Sequence, residues 1–156
     1  MKKIKVIGAG GIGSILLPVL SRFLDNNEDE PDVQITVIDG DNYERQNQTR
    51  QVFSRMGNKA EVTVEKLELD FANLQFCSVP EFVTENSMLY LLEENDIIFS
   101  CVDNHKTRLL ISDFCASELD NVSLISGGND FTDGNIQIFI RRNGKNLTLV
   151  RRSYCS

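Results

Sequence analysis

The sequence predicts an α/β fold: a Rossmann-like, doubly wound and mainly parallel sheet, with helices on both faces and a C-terminal antiparallel hairpin. Three observations indicate this fold. A short apolar strand breaks into a glycine cluster at residues 5–13, KVIGAGGIG. Strand-like and helix-like segments then alternate along the chain. Finally, Asn143-Gly144, a dipeptide typical of tight hairpin turns, interrupts a stretch of alternating apolar and polar residues.

The individual elements follow from hydrophobic periodicity and from turn residues. Strands are expected over residues 3–8, 33–39, 77–83, 96–102 and 122–126. Helices are expected over residues 12–24, 58–69, 86–94 and 105–119. Pro80 places its strand at an edge of the sheet, and Pro18 predicts a kink or a shortening of the first helix. Residues 25–32 and 40–51 are expected to be loops.

Length and composition predict one domain over residues 1–156, or a domain truncated at its C-terminus. The net charge of −7 disfavours general binding to nucleic acid. The longest apolar stretches are far short of the roughly 18 residues of a transmembrane helix, and no signal-peptide pattern is present. We therefore expect a cytoplasmic protein without membrane contact. The four cysteines form no CxxC pair, so no zinc site is expected.

The glycine cluster predicts a nucleotide-binding turn. Gly8 allows a tight turn, while Gly10 and Gly11 let the backbone approach a phosphate. Gly13 lets the following helix pack closely on the strand, and the free N–H groups at that helix's start favour an anion. Asp39 ends the next apolar run, where a carboxylate can accept a hydrogen bond from a ribose hydroxyl.

Further polar side chains follow the carboxyl ends of the predicted strands, where open α/β sheets bind ligands. They are Asp41, Asn47, Arg50, Lys59 and Asp103. Together with Asp39 they supply two cations, an amide and three carboxylates. This set suits a nucleoside triphosphate with magnesium better than a nicotinamide dinucleotide, because cations neutralise phosphate charge and magnesium prefers oxygen ligands. An NAD(P)-binding oxidoreductase domain remains an alternative, and Asp103 has the alternative role of capping the helix that follows it.

Four motifs, taken together, resemble one protein family. They are GAGGIG at 8–13, DGDNYERQNQTRQ at 39–51, GNKAE at 57–61 and SCVDNHKTR at 100–108. In order and spacing the chain resembles the ThiF/MoeB-type adenylyltransferases of the ubiquitin-activating-enzyme superfamily, from Lys5 to about Gly128. The second motif is much more diagnostic than the glycines.

This resemblance implies an ATP-dependent adenylyltransferase that activates the C-terminal carboxylate of a small ubiquitin-like or sulfur-carrier protein as an acyl-adenylate. It implies that Asp39 holds the ribose and that Asn47, Arg50 and Lys59 contact the triphosphate. It also implies that Asp103 binds magnesium, so that Arg50, Lys59 and Asp103 are the expected catalytic residues. Asp41 belongs to the nucleotide-binding motif without a defined role. ATP and magnesium are the expected cofactors, and a homodimer or heteromer is the expected assembly.

The chain also departs from the family pattern. It begins seven residues before Gly8, so the N-terminal arginine that family members extend into a partner subunit's ATP site is expected to be missing or replaced. The two zinc-binding CxxC pairs of many members are absent from the sequence, and it stops before the crossover loop that carries their catalytic cysteine. These departures motivate a third hypothesis, a non-catalytic nucleotide-binding subunit of a heteromeric activating enzyme.

Overall fold

The structure is a computed structural model that describes residues 1–29, 32–49, 51–129 and 134–149. Its strands are β1 (Lys2–Ile7), β2 (Val33–Ile38), β3 (Asn42–Tyr43), β4 (Gly57–Asn58), β5 (Gln75–Val79), β6 (Ile97–Ser100), β7 (Val122–Asn129), β8 (Gly134–Arg142) and β9 (Lys145–Asn146). Its helices are α1 (Gly11–Asp25), α2 (Lys59–Asp70), α3 (Glu85–Leu91) and α4 (His105–Glu118), with a short 3₁₀ helix at Arg45–Thr49.

Seven strands form one sheet in the order β5-β2-β1-β6-β7-β8-β9. The five strands from β5 to β7 are parallel, whereas β8 and β9 pair antiparallel. A separate antiparallel pair, β3 and β4, lies outside this sheet. The predicted fold class is therefore confirmed. The chain leaves β1 on one side towards β2 and later returns on the other side with β6, so a crevice opens at the carboxyl ends of these strands.

Helices cover both faces of the parallel part of the sheet. On one face Ile4 and Val6 of β1 form a buried cluster with Leu17 of α1 and Leu67 of α2. On the other face α3 and α4 pack over a second buried cluster, which contains Ile98 of β6. The alternation of apolar side chains along each strand divides the core in this way.

Several expected boundaries differ from the observed ones. α1 runs for 15 residues through Pro18, so this helix is not shortened there, and the alternative of a kink stays a prediction. β5 begins at Gln75 and ends before Pro80, two residues earlier than expected at its start, although it does lie at the edge of the sheet. The expected loop at 40–51 contains β3 and the 3₁₀ helix, because local polar contacts and the pairing with β4 order it.

The C-terminal hairpin is confirmed. β8 and β9 are joined by Asn143 and Gly144, which have φ angles of 50° and 71°. Positive φ at both central residues matches the right-handed twist of the flanking strands, and Asn-Gly adopts it at little cost. Within the described ranges no helix is long and apolar enough to cross a membrane.

Candidate nucleotide-binding site

A pocket of about 280 Å³ lies at the carboxyl edge of the sheet, where β1, β2 and β6 end. Most of the residues that the sequence predicts for the site line it, namely Gly8, Gly10, Gly11, Asp39, Asp41, Lys59 and Asp103. The topology explains this convergence, because parallel neighbouring strands deliver their following loops to one edge.

The glycine turn brings β1 and α1 into very close contact. Gly8 has a φ of +96°, and a Cβ there would lie 2.9 Å from the carbonyl oxygen of Cys101. A Cβ at Gly13 would lie 1.9 Å from the carbonyl oxygen of Gly8, so only glycine fits. α1 begins at Gly11 without a side-chain cap and without acidic residues in its first turn. Its first N–H groups therefore remain available to an anion at the pocket.

Asp39 joins the glycine turn to the loop after β2. Its Oδ2 accepts a hydrogen bond from the Ala9 N–H at 2.7 Å, and its Oδ1 accepts one from the Asp41 N–H at 2.8 Å. Each carboxylate oxygen has further lone pairs. The half-buried Asp39 therefore fixes the two walls of the pocket relative to each other and still presents acceptors to a ligand hydroxyl.

Lys59 is a buried cation at the wall of the pocket. Its side chain extends from the first turn of α2, and its Nζ lies 3.0 Å from Oδ2 of Asp41 and 5.8 Å from the ring centroid of Tyr43. The residue is 8% exposed, whereas the Asp41 side chain is 61% exposed. The ammonium is thus held in place by Asp41, and this carboxylate remains accessible from solvent.

Asn58 positions Lys59. Asn58 was not among the site residues predicted from the sequence. Its Oδ1 accepts hydrogen bonds from the N–H groups of Ala60 and Glu61 at 2.9 and 3.1 Å, so it caps α2. Its Nδ2 donates to the carbonyl oxygens of Asp39 and Asp41 at 2.8 and 3.2 Å. An asparagine directly before a helical segment is a typical N-cap, and this signal was present in the GNKAE motif.

Asp103 lines the pocket from the loop between β6 and α4. The capping interpretation of this residue is wrong, because the cap of α4 is Asn104, whose Oδ1 accepts a hydrogen bond from the Thr107 N–H at 2.8 Å. Asp103 itself is exposed and lines the pocket. Its carboxylate is therefore not needed for the helix and is available to a ligand or a metal ion.

Asn47, a predicted phosphate contact, is not among the described residues that line the pocket. The Oδ1 atom of Asn47 accepts a hydrogen bond from the Glu44 N–H at 2.8 Å. This contact joins the 3₁₀ helix to the residue directly before it. Arg50 lies outside the described residues. Gln51, which follows it, does line the pocket and donates its backbone N–H to the Asn47 carbonyl at 2.8 Å. The triphosphate contacts of Asn47 and Arg50 stay predictions.

An apolar wall completes the pocket on the side of β5. Phe82 and Val83 line it, and the Phe82 ring lies so close to Gly40 that a Cβ there would be 2.5 Å from the ring. Both residues fall within the predicted strand at 77–83 and were not among the predicted site residues. An apolar wall beside the carboxylate that is predicted to hold a ribose is a suitable surface for a nucleobase.

The pocket has an acidic balance among its described lining residues: three carboxylates face one lysine. Cys101 also lines it, but burial raises the pKa of its thiol to about 11, so a thiolate nucleophile is not expected there. Cys77, Cys101 and Cys115 are free thiols, of which only Cys77 is exposed. Across the described ranges no group of three or more His, Cys, Asp or Glu side chains is placed to hold a metal ion.

The comparison with known families shows the family to which the chain belongs. The sequence model of the ThiF family matches residues 1–152. The chain belongs to the ThiF family. The predicted resemblance is thereby confirmed over nearly the whole length of the sequence.

Individual relatives of this ThiF-family chain are consistent with this assignment. It is 29% identical over 119 residues to the adenylyltransferase and sulfurtransferase MOCS3 of Drosophila ananassae, a match that covers 71% of this chain and 25% of MOCS3. Its fold is similar to that of E. coli MccB solved with ATP, with a TM-score of 0.72 and 22% identity over 90% of this chain and 41% of that one. It is also similar to E. coli TcdA in complex with ATP, with a TM-score of 0.60 and 25% identity over 73% of this chain and 46% of that one. The chain thus spans a quarter to a half of the length of these relatives.

Proposed function

We propose that residues 1–156 act as one adenylation domain, in which the pocket binds ATP and transfers its adenylyl group to a carboxylate. The observation that carries this proposal is the meeting of the glycine turn, Lys59 and Asp103 in one pocket. A dinucleotide-binding domain would account for the turn and for Asp39. It gives no reason for a buried lysine and an available carboxylate at the phosphate end.

The pocket provides a place for each part of ATP. The turn and the uncapped start of α1 face the phosphates with backbone N–H groups. Asp39 offers carboxylate acceptors to the ribose hydroxyls, and Phe82 with Val83 forms the apolar surface for the base. Lys59, which is held by Asp41, lies where a cation can neutralise the β- and γ-phosphates.

The proposed reaction needs no nucleophile from the protein. A substrate carboxylate oxygen attacks the α-phosphorus, the bond from this phosphorus to the bridging oxygen of the β-phosphate breaks, and pyrophosphate leaves with the electron pair. The products are an acyl-adenylate and pyrophosphate. The protein contributes positioning and charge stabilisation, and Lys59 compensates the negative charge that develops on the leaving group.

Magnesium fits the chemistry of this donor set. Three carboxylates against one lysine leave the charge of a triphosphate uncompensated, and a divalent cation supplies the missing positive charge. Asp103 would hold it, because this carboxylate is exposed, lines the pocket and does not cap α4. Phosphate oxygens and water would supply the other ligands, as magnesium commonly requires.

The carboxylate substrate that we propose is the C-terminus of a small ubiquitin-like or sulfur-carrier protein. The family assignment supports this proposal, together with the name of the relative MOCS3, an adenylyltransferase and sulfurtransferase. MccB has been solved with a second molecule, MccA, and with an ATP analogue. A homodimer or heteromer is part of the same proposal.

The first test measures thermal unfolding of the purified chain with ATP and magnesium, with ATP and EDTA, and with NAD. Ligand at about 100 times its Kd stabilises by about 2.7 kcal/mol, which raises Tm by about 5–10 °C for a chain of this size. We expect the largest shift with ATP and magnesium and none with NAD. A shift with NAD alone would favour the oxidoreductase alternative. ATP binding without carboxylate-dependent exchange of pyrophosphate into ATP would favour the non-catalytic subunit.

Lys59→Met tests the role of the buried cation. We expect its affinity for ATP to fall about 10–100-fold, because a hydrogen bond to a charged group contributes about 1.5–3 kcal/mol. Lys66→Met on the exposed face of the same helix is the matched control and should bind ATP like the wild type. Equal ATP affinity of the two variants, measured by isothermal titration calorimetry, would contradict the assignment of Lys59.

A further inference from the structure

Arg108 of α4 is a buried cation that does not line the pocket but holds the loop that does. It is 6% exposed, and its guanidinium donates to two consecutive main-chain carbonyls. Nε lies 2.9 Å from the Val102 oxygen, and Nη2 lies 3.2 Å from the Asp103 oxygen. These two carbonyls belong to the loop that carries the proposed metal-binding carboxylate.

The two carbonyls flank the Cα atom of Asp103. The Val102 oxygen lies in the peptide plane before this atom, and the Asp103 oxygen lies in the plane after it. Because each peptide unit is planar, fixing both planes fixes both backbone torsions of Asp103 and the direction of its Cα–Cβ bond. A guanidinium can hold two acceptors at once because its donors lie in one rigid plane, whereas an ammonium is a compact point charge on a flexible stem.

The guanidinium of Arg108 packs against Gly128, near the carboxyl end of β7; Gly128 is called the Gly128 floor below. A Cβ at this position would lie 2.0 Å from Nη1 and 2.6 Å from Cζ of Arg108. The guanidinium therefore lies against the main chain of β7, where only glycine leaves room for it. It connects this strand to the loop after β6 and fixes the position of the loop relative to the sheet.

We propose that Arg108 is a positioning residue that directs the Asp103 carboxylate towards a magnesium ion bound with the triphosphate. This inference rests on the proposed function, because it takes Asp103 as the metal-binding residue. In this proposal the Arg108 guanidinium and the Gly128 floor determine the affinity for magnesium, and neither residue contacts ATP.

The test compares Arg108→Lys with the wild type by titrating magnesium at fixed ATP and following Tm. We expect the magnesium concentration for the half-maximal shift to rise about tenfold, since loss of an outer partner of a metal ligand typically costs about 10–100-fold. The shift with ATP and EDTA should not change, because Asp39 and the glycine turn are intact. Arg142→Lys is the matched control, since Arg142 donates to the Val122 oxygen at 2.8 Å at the opposite end of β7.

Two further measurements separate positioning from general stability. In the Asp103→Asn background, Arg108→Lys should have no additional effect on the magnesium requirement, because it acts through the missing carboxylate. In the ligand-free protein, the backbone order parameters of Asp103 and Asn104 should fall in Arg108→Lys from values near 0.85 towards about 0.6. If Arg108→Lys does not fold, Gly128→Ala displaces the guanidinium from the other side and should give the same results.

The outcomes also distinguish this inference from the proposed function. If the wild type shows no magnesium-dependent shift with ATP, the proposed function fails, and this inference fails with it. If the wild type shows the shift and Arg108→Lys requires no more magnesium than Arg142→Lys, only the positioning role is overturned. If Arg108→Lys loses ATP binding equally with magnesium and with EDTA, Arg108 supports the fold in general. This result would also overturn the inference.

Discussion

At the scale of single residues, the neighbouring residues 103 and 104 on the loop after β6 have different structural roles. Asn104 caps α4 through the Thr107 N–H and also lines the pocket, whereas Asp103, one residue earlier, lines the pocket without capping the helix. Asp39 differs from both, because it links the glycine turn to the loop after β2 and lines the pocket as well. Ligand binding can therefore be altered separately from stability at 103, but not at 39 or 104, where one side chain supports the fold and also lines the pocket.

Substitutions at these two adjacent positions should have different effects on the stability of the ligand-free protein. Asn104→Ala removes a helix cap and should cost about 1 kcal/mol, which lowers Tm by about 2–4 °C. Asp103→Asn should leave Tm of the ligand-free protein unchanged but remove the magnesium-dependent part of the ATP shift. Thermal unfolding with and without ligand measures both effects. A stability loss in Asp103→Asn equal to that of Asn104→Ala would show that Asp103 also supports the helix.

At the scale of elements, the close packing of β1 and α1 shapes the end of the pocket that we propose for the phosphates. Gly13 leaves no room for a Cβ, so the main chain of α1 contacts the main chain at Gly8, directly after β1. The start of α1 is thereby held at the edge of the sheet, where its N–H groups face the pocket. This arrangement depends on backbone geometry and hardly at all on the other side chains of the turn.

Two glycine substitutions in this turn should separate fold from binding. Gly13→Ala should destabilise the chain by about 3 kcal/mol, at the upper end of the usual cost of overpacking, and lower Tm by about 6–12 °C. Gly11→Ala meets no atom within 4 Å and should leave Tm unchanged or slightly raised. It should nevertheless weaken ATP binding, because its methyl group occupies the approach of the phosphate. Tm and ATP affinity of both variants check this, and similar stability of the two would contradict it.

The order of the elements could be predicted from the sequence, but some boundaries at the site could not. The strand order brings Asp39, Asp41 and Asp103 to one edge of the sheet, as predicted. Lys59 reaches the same pocket from the start of α2, after β4, which lies outside that sheet. The cap of α4 could not be chosen between Asp103 and Asn104, because both residue types are good caps and differ by one position.

Other parts of the site depend on contacts that a sequence pattern does not contain. The wall at Phe82 and Val83 was missed because β5 ends at Val79, and its end depends on pairing with β2. The cation–π contact of Lys59 with Tyr43 likewise requires the pairing of β3 with β4. The role of Asn47 in ordering the 3₁₀ helix arises from a local polar contact with Glu44.

At the scale of the whole molecule, the two edges of the sheet have different chemistry. The carboxyl edge carries the pocket, whereas the opposite edge carries the buried Asp96 just before β6. Asp96 is 1% exposed, its Oδ2 accepts a hydrogen bond from the Glu93 N–H at 2.8 Å, and its Oδ1 has no partner in the described part of the chain. Burial raises the pKa of Asp96, although Lys5 and Lys3 act in the other direction.

This buried carboxylate predicts a pH dependence of stability. Its folded pKa is raised above the ordinary value of 3.8, so between these two values the folded chain binds a proton that the unfolded chain has lost. The contribution of Asp96 to stability is therefore fully present below 3.8 and is lost as the pH rises through the folded pKa. Asp96→Asn should gain stability relative to the wild type as the pH rises from about 4. Urea unfolding of both proteins across this range measures the difference, and a constant difference would contradict the prediction.

The distribution of cysteines has a practical consequence for spectroscopy. The buried Cys101 and Cys115 thiols have raised pKa values of about 11 and about 12, so alkylating reagents react with them slowly at neutral pH. Cys77 is exposed on β5, the strand that leads into the Phe82 wall. A fluorophore attached to Cys77 therefore stands on the edge strand that precedes Phe82, and a change in its emission on addition of ATP would report the proposed binding in real time.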